Sequence, residues 1–394
     1  MISLSQGVVD LTSPDREAVN YAGVEALQIM GLGGDDRLTF DNSFGSIDPQ
    51  VLFDGGVGLD ALWIVGENDL PTVYTVGPEE ETGRVEHGET VIEFADLEPV
   101  VDLTGGTLTV NATNGSNAIN YTAGTQQGSG LVSVDGFETI EFTSKTALTI
   151  NALAGDDSIN LNNVFGVASL TQIVVNAGDP TASDEVIYNG TPGSDDIVVT
   201  PLSPDSAEID DGVRAPVFVN GAESLIVNGG EGADDLDIDL SGAPNIHNTI
   251  EYTPGDTVNS GHIQVDDLIP ISFVNLGGEG GGQIIDIDTV TFVDDQGFDT
   301  LVYNGTDGAD EFEVMENEIR LTSPIGEHEL VQVGGEGLWL AAPLPDRNAL
   351  DGRPPLTDEV VEALAVGPDL HVLAVGDPLA HHVLEQRSAR GVHR

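Results

Sequence analysis

Leu225-Ile-Val-Asn-Gly-Gly-Glu-Gly-Ala-Asp-Asp-Leu-Asp-Ile-Asp-Leu240 is the stretch on which the fold turns. A short apolar run leads into a glycine-aspartate turn, after which Asp235, Asp237 and Asp239 alternate with Leu236, Ile238 and Leu240. Alternation of period two is that of a strand with one buried and one wet face. Gly229, Gly230 and Gly232 permit a tight turn with left-handed backbone angles, and Asp234 and Asp235 place carboxylates at its exit. Chemically, such a turn can hold a hard cation.

The pattern glycine, any residue, aspartate, any residue, apolar residue recurs along the chain. Gly34-Asp36-Leu38, Gly58-Asp60-Leu62, Gly155-Asp157-Ile159, Gly193-Asp195-Ile197, Gly297-Asp299-Leu301 and Gly308-Asp310-Phe312 follow it, with Gly115-Asn117-Ile119 a weaker copy. A second unit runs from Tyr74-Thr75-Val76-Gly77 through Gly83 to Ile92-Glu93-Phe94, and recurs at Tyr121–Phe142 and Tyr252–Phe273. A third pairs Glu185–Thr191 with Thr300–Thr306. Internal repetition of this kind, with β-branched runs about every ten residues, predicts an all-β array. Turns at Asn117, Asp135, Asp157, Asp179, Asp195, Asp211 and Asp234 fall about twenty residues apart, the length of a β-solenoid rung. Tandem β-sandwiches, which also return to the same sheet edge, are the alternative.

Composition sets limits. The 394 residues hold 68 acids against 11 Lys and Arg, a formal charge of −57, and Lys145 is the only lysine. Such a surface repels phosphate backbones and anionic lipid, so nucleic acid is excluded as a partner, and no apolar run is long enough for membrane insertion. There is no cysteine, hence no disulfide framework. Residues 1–20 read as a lead-in, 21–340 as the acidic β-repeat array, and 341–394, with five of the basic residues, as a tail or cap of different composition. Within the tail, Asp358–Val366 reads as a short helix stopped by Gly367, and Asp377-Pro378 as the start of another. Asp346–Gly352 is an imperfect match to a calcium loop, one residue too long. Met1–Asn20 lacks the basic start and apolar core of a signal peptide.

At Gly55–Leu62 and Gly229–Leu236 the sequence resembles the Gly-Gly-x-Gly-x-Asp-x-apolar repeat of the haemolysin-type (RTX) calcium-binding proteins. More loosely, residues 20–337 are similar to repeat regions of large bacterial cell-surface proteins. The resemblance implies Ca²⁺ as the ligand, held by Asp60 and Asp234 with Asp235, and more loosely by Asp36, Asp157, Asp195 and Asp310. These turns are isolated rather than tandem, unlike those of a calcium β-roll, where stacked turns share each ion. The structural alternative is that Asp and Gly shape the turns and solvate one face.

No nucleophile elbow, zinc-protease motif, phosphate loop or cysteine nucleophile is present. The expectation is a non-enzymatic, extracellular or cell-surface structural or adhesive protein. Its expected partners are cell-surface or matrix components, polysaccharide or like subunits. A β-helical polysaccharide-degrading enzyme and a salt-adapted acidic scaffold without specific ion sites are the other two readings. Asn111, Asn114, Asn120, Asn189 and Asn304 lie in glycosylation sequons, which turn chemistry explains equally well.

Overall fold

The computed structural model describes residues 2–5, 8–11, 18–43, 47, 50–66, 69–178, 183–241, 249–276, 289–293, 300–305, 310–314, 318–323, 326–327, 330–334, 339–340, 359–365 and 371–376. All regular structure among them is β. The chain alternates between two sheets whose strands bury every second residue: Arg37–Asp41, Ala147–Asn151 and Ser224–Asn228 each bury their second and fourth side chains. The buried set is mostly Val, Ile and Leu, such as Leu62, Leu148, Val186 and Leu225, and it is one continuous cluster. Each such side chain contributes about 1.5–3 kcal/mol on burial, most of it offset by chain entropy.

Successive strands of a sheet pair in parallel. Arg37 lies opposite Ala61, and Ser158 opposite Glu185, so a plain circuit takes 24 to 27 residues, slightly more than the expected rung. Longer circuits, such as Val100 to Ile140 or Leu236 to Val290, carry an added antiparallel meander. The first of these, Thr72–Val76, Gly83–His87 and Thr90–Ala95, is inserted so that its last strand pairs back to Gln50–Asp54 and its first pairs forward to Thr107–Asn111. The next, Ala118–Ala123, Gly130–Val134 and Ile140–Phe142, lies in the other sheet. Asp196–Ser203 with Ser206–Asp210 and Val217–Asn220 returns to the first sheet, and Thr249–Pro254 with Ser260–Val265 and Ile271–Val274 to the second. The winding is therefore a two-sheet coil widened alternately on one face and the other, parallel-rich but mixed.

Three meanders are the Tyr…Gly…Phe unit seen in the sequence. Tyr74 stacks on Phe94, Tyr121 on Phe142 and Tyr252 on Phe273, with ring centroids 6.2, 6.1 and 6.1 Å apart. The glycine of the middle strand makes room for the pair: a Cβ on Gly83, Gly130 or Gly261 would lie 2.5–2.7 Å from the phenylalanine ring tip. The meander at Asp196–Asn220 has Val199, Ala207 and Val219 inside instead, so no aromatic signature marks it in the sequence.

At the N-terminal end Ile2–Ser5 pairs in parallel with Arg37–Asp41 and buries Leu4. One expectation is corrected at the other end. Glu359–Ala365 is a strand rather than a helix, antiparallel to His371–Gly376. Its run Glu359-Val360-Val361 pairs with Gly376, Val375 and Ala374, and its β-branched residues favour the pleated form over the helical one. The calcium-loop match at 346–352 and the second helix at 377 lie outside the described residues.

Candidate functional site

The Gly-x-Asp turns stack on one another, and their glycines and aspartates form two interlocking rows. A Cβ on Gly58 would sit 2.1 Å from the carbonyl oxygen of Gly34, and one on Gly232 would sit 2.5 Å from that of Gly193. The glycines before Asp60, Asp157 and Asp234 are therefore fixed by backbone contact between rungs, whereas a Cβ on Gly34 or Gly193 would meet no backbone. The first glycine of the doubled pair is crowded by both backbone and carboxylate: a Cβ on Gly55 would meet the Asp96 carbonyl oxygen at 2.1 Å and Asp60 Oδ2 at 2.8 Å, and one on Gly229 the Asn275 carbonyl oxygen at 2.5 Å and Asp234 Oδ2 at 2.6 Å. Where threonine replaces the second glycine, its side chain closes the turn. The Thr191 hydroxyl donates to Asp195 Oδ1 at 3.0 Å and the Thr113 hydroxyl to Asn117 Oδ1 at 3.0 Å, beside the backbone N–H of each residue.

Asp60, Asp157 and Asp234 each reach one rung back. Asp60 Oδ1 accepts the N–H of Asp36 at 2.6 Å, and Asp234 Oδ1 accepts that of Asp195 at 2.9 Å. The longest row continues through four residues: Asn117 N–H to Asp157 Oδ1, Asp157 N–H to Asp184 Oδ1, and Asp184 N–H to a Glu223 carboxylate oxygen, each at 2.7 Å. Glu98 serves the same purpose for the N–H of Asp60, at 3.3 Å. An amide that a turn would leave to solvent is thereby bonded to a carboxylate, a charge-assisted contact stronger than a neutral one.

The seven aspartates expected to bind metal are not gathered at one place. Asp36, Asp60 and Asp157 precede strands of one sheet, whereas Asp195, Asp234, Asp235 and Asp310 precede or begin strands of the other. Asp60, Asp157, Asp234 and Asp310 are buried, Asp36 and Asp195 half-buried, and Asp235 exposed. Among the described residues no group of three or more acids or histidines closes round a common point. The second oxygens of Asp60, Asp157 and Asp184 are nonetheless buried without a hydrogen-bond partner. Each of these oxygens could supply one ligand to a hard cation, which would need further oxygens from turn carbonyls and water.

Burial leaves its mark on these groups. Asp184 is pushed up to about 6, first by desolvation and then by the charges of Asp157, Glu223 and Asp156, against the hydrogen bond from the Asp157 amide. Asp157 is raised for the same leading reason. Elsewhere on the coil Glu138 is pushed up to about 7 by burial, with Glu98 and Glu81 adding repulsion.

Two features carry no motif that marks them in the sequence as part of the site. Asp184, Glu98 and Glu223 belong to the carboxylate rows yet stand outside any Gly-x-Asp unit. The other feature is a pair of asparagine ladders at the strand ends. Asn151 donates to Asn111 and accepts from Asn176, both at 2.8 Å, and Asn220 continues the row at 3.2 Å. In the other sheet Asn189 donates to Asn160, Asn228 to Asn189 and Asn275 to Asn228 at 2.7, 2.8 and 2.9 Å. The signal that could have found them is a bulky residue followed by Asn closing strand after strand: Val110-Asn111, Ile150-Asn151, Val175-Asn176, Tyr188-Asn189, Val219-Asn220 and Val227-Asn228. The sequon residues Asn111, Asn120 and Asn189 are tied into such side-chain bonds.

A pocket of about 20 Å³, room for one water, is lined by Tyr121, Asn163, Tyr188 and Arg214 among apolar neighbours. Arg214 is pinned there by Asp211 at 2.6 Å, by the Asn189 carbonyl and by the Tyr188 hydroxyl.

No known protein family matches this chain, and no curated protein matches it.

Proposed function

We propose that the chain is a non-enzymatic structural element, an acidic β-array that serves as a stalk, matrix or adhesive component outside the cell and is stiffened by Ca²⁺. The observation that carries this reading is the repeated use of the turn acids. From Asp60 to Glu223 they bond the amide of the neighbouring rung, which is a constructional role. Rows of carboxylates so placed repel one another, and the repulsion between unit charges ~4 Å apart is about 1 kcal/mol even in water. A divalent cation relieves it, and the orphaned oxygens of Asp60, Asp157 and Asp184 are the atoms with coordination to spare. Binding to the folded form alone would then stabilise it by RT ln(1 + [L]/Kd) per site.

The test is thermal unfolding of the chelated full chain, titrated with CaCl₂ and separately with MgCl₂ and NaCl at matched ionic strength. A saturable, calcium-specific rise in melting temperature that shrinks in Asp60→Asn and Asp157→Asn is expected. Equal responses to all three salts would overturn the calcium claim and favour a salt-adapted scaffold.

A further inference from the structure

The only lysine of the chain is buried. Lys145 and Asp102 both have fully covered side chains, and the Lys145 Nζ lies 2.7 Å from Asp102 Oδ2. They come from neighbouring circuits of the coil, since Asp102 ends a strand that pairs with Ile140–Phe142, three residues before Lys145.

The surroundings differ from those of a plain ion pair. The other carboxylate oxygen, Asp102 Oδ1, accepts two donors from Thr104, its N–H at 2.9 Å and its hydroxyl at 2.6 Å. Thr72 bridges the reacting atoms: its hydroxyl donates to Asp102 Oδ2 at 2.7 Å and accepts from Lys145 Nζ at 3.1 Å. Behind Thr72, His87 Nδ1 lies 3.0 Å from the same hydroxyl, and His87 Nε2 meets the Asn42 side-chain amide. With the threonine hydroxyl committed to Asp102, His87 donates through Nδ1 and accepts through Nε2. Lys145 also donates to Thr104 Oγ1 and the Gly105 carbonyl at 3.0 and 2.9 Å, which fixes the amine in place. Burial lowers the basicity of Lys145, partly countered by Asp102, so its neutral amine is more accessible than that of a surface lysine.

We propose that Lys145 and Asp102 condense to an intramolecular amide, a covalent cross-link between two circuits of the coil. The proton on Nζ that faces Oδ2 crosses the hydrogen bond, giving an amine and a carboxylic acid. The nitrogen lone pair adds to Cγ, and the C=O π pair moves onto Oδ1, where the Thr104 N–H and hydroxyl hold the developing charge. A second proton leaves nitrogen for Oδ2 through the Thr72 hydroxyl. Oδ2 departs as water, and the C=O bond re-forms from Oδ1. Both hydrogens of the water come from the ammonium group, so the balance is ammonium plus carboxylate to amide plus water, with no other reagent. The reaction is independent of the calcium reading.

The sequence makes the test simple, because a lysine-specific protease has one site. The unfolded full chain is weighed intact and digested. The expected result is a mass about 18 Da below that of the sequence, one water, with no cleavage after Lys145. Asp102→Ala is expected to restore both the full mass and cleavage into 1–145 and 146–394; both readouts are made on unfolded chains, so the variant need not fold. Full mass with complete cleavage of the native sequence would overturn the proposal. So would a mass deficit with cleavage intact, the result of succinimide formation elsewhere, or a deficit and resistance that persist in Asp102→Ala.

Discussion

Asp184 accepts the backbone N–H of Asp157 at 2.7 Å from one circuit further along the chain, while its own N–H is taken by Glu223. Asp157 and Asp184 are each both capped and capping, so the row holds successive circuits in register at their turns, where parallel strand pairing has ended. An acidic turn in this protein is a joint between rungs.

Asp184→Ala removes the acceptor and leaves a turn amide unbonded, for a loss of about 1–3 kcal/mol in urea unfolding at pH 7.5. Asp184→Asn keeps the acceptor and supplies an N–H donor in place of the orphaned oxygen. It is expected to be at least as stable as the native chain at that pH. A loss equal to that of the alanine variant would show that charge rather than acceptance matters.

The pH dependence follows from the same burial. The folded-state values of Asp184, about 6, and Glu138, about 7, lie above their unfolded values. Their contribution is fully present below the unfolded values, near 4, and is lost as pH rises through 6 to 7. His87 works the other way: burial lowers it, so stability is lost as pH falls below its unfolded value of about 6.5. Removing the acids separates the two. Asp184→Asn with Glu138→Gln is expected to gain melting temperature relative to the native chain at pH 7.5 and to gain little at pH 4.5. An equal gain at both would contradict the assignment.

The glycines differ in a way that substitution should expose. Gly58→Ala drives a Cβ into the Gly34 carbonyl and is expected to cost about 2–4 kcal/mol. Gly128, with φ +81° and nothing within 4 Å of a Cβ, is strained by alanine only through its backbone angle, about 1 kcal/mol. Shifts of the urea midpoint at constant slope measure both.

Asn151 sits inside a ladder, bonded to Asn111 on one side and Asn176 on the other. Asn151→Ala leaves two half-buried amides short of a partner and is expected to cost about 1–2 kcal/mol. Asn114, exposed in a turn, is the comparison: its alanine variant is expected to change stability by less than about 0.5 kcal/mol.

Much of the fold was legible because period-two burial and a repeated turn motif are local properties. The all-β class and the Tyr…Gly…Phe units follow from Leu225–Leu240 and Tyr74–Phe94 alone. The meander at Asp196–Asn220 was hidden because Val199, Ala207 and Val219 fill the space that Tyr, Gly and Phe fill elsewhere. The site was harder to read, since the partner of each turn acid is a backbone amide 24 to 40 residues earlier, as for Asp36 with Asp60 or Asn117 with Asp157. A backbone donor leaves no residue-type signal. Lys145 was conspicuous as the sole lysine, yet only the fold brings Asp102, Thr72 and His87 to it.

The most direct measurement of the rung-to-rung joint is native-state hydrogen exchange at the turn amides of Asp36, Asn117, Asp157 and Asp195. The account expects them to exchange as slowly as the flanking strands, and expects Asp184→Ala to release Asp157 selectively. Exchange of these four amides as fast as that of an open hairpin amide such as Gly128, in the native chain, would contradict it.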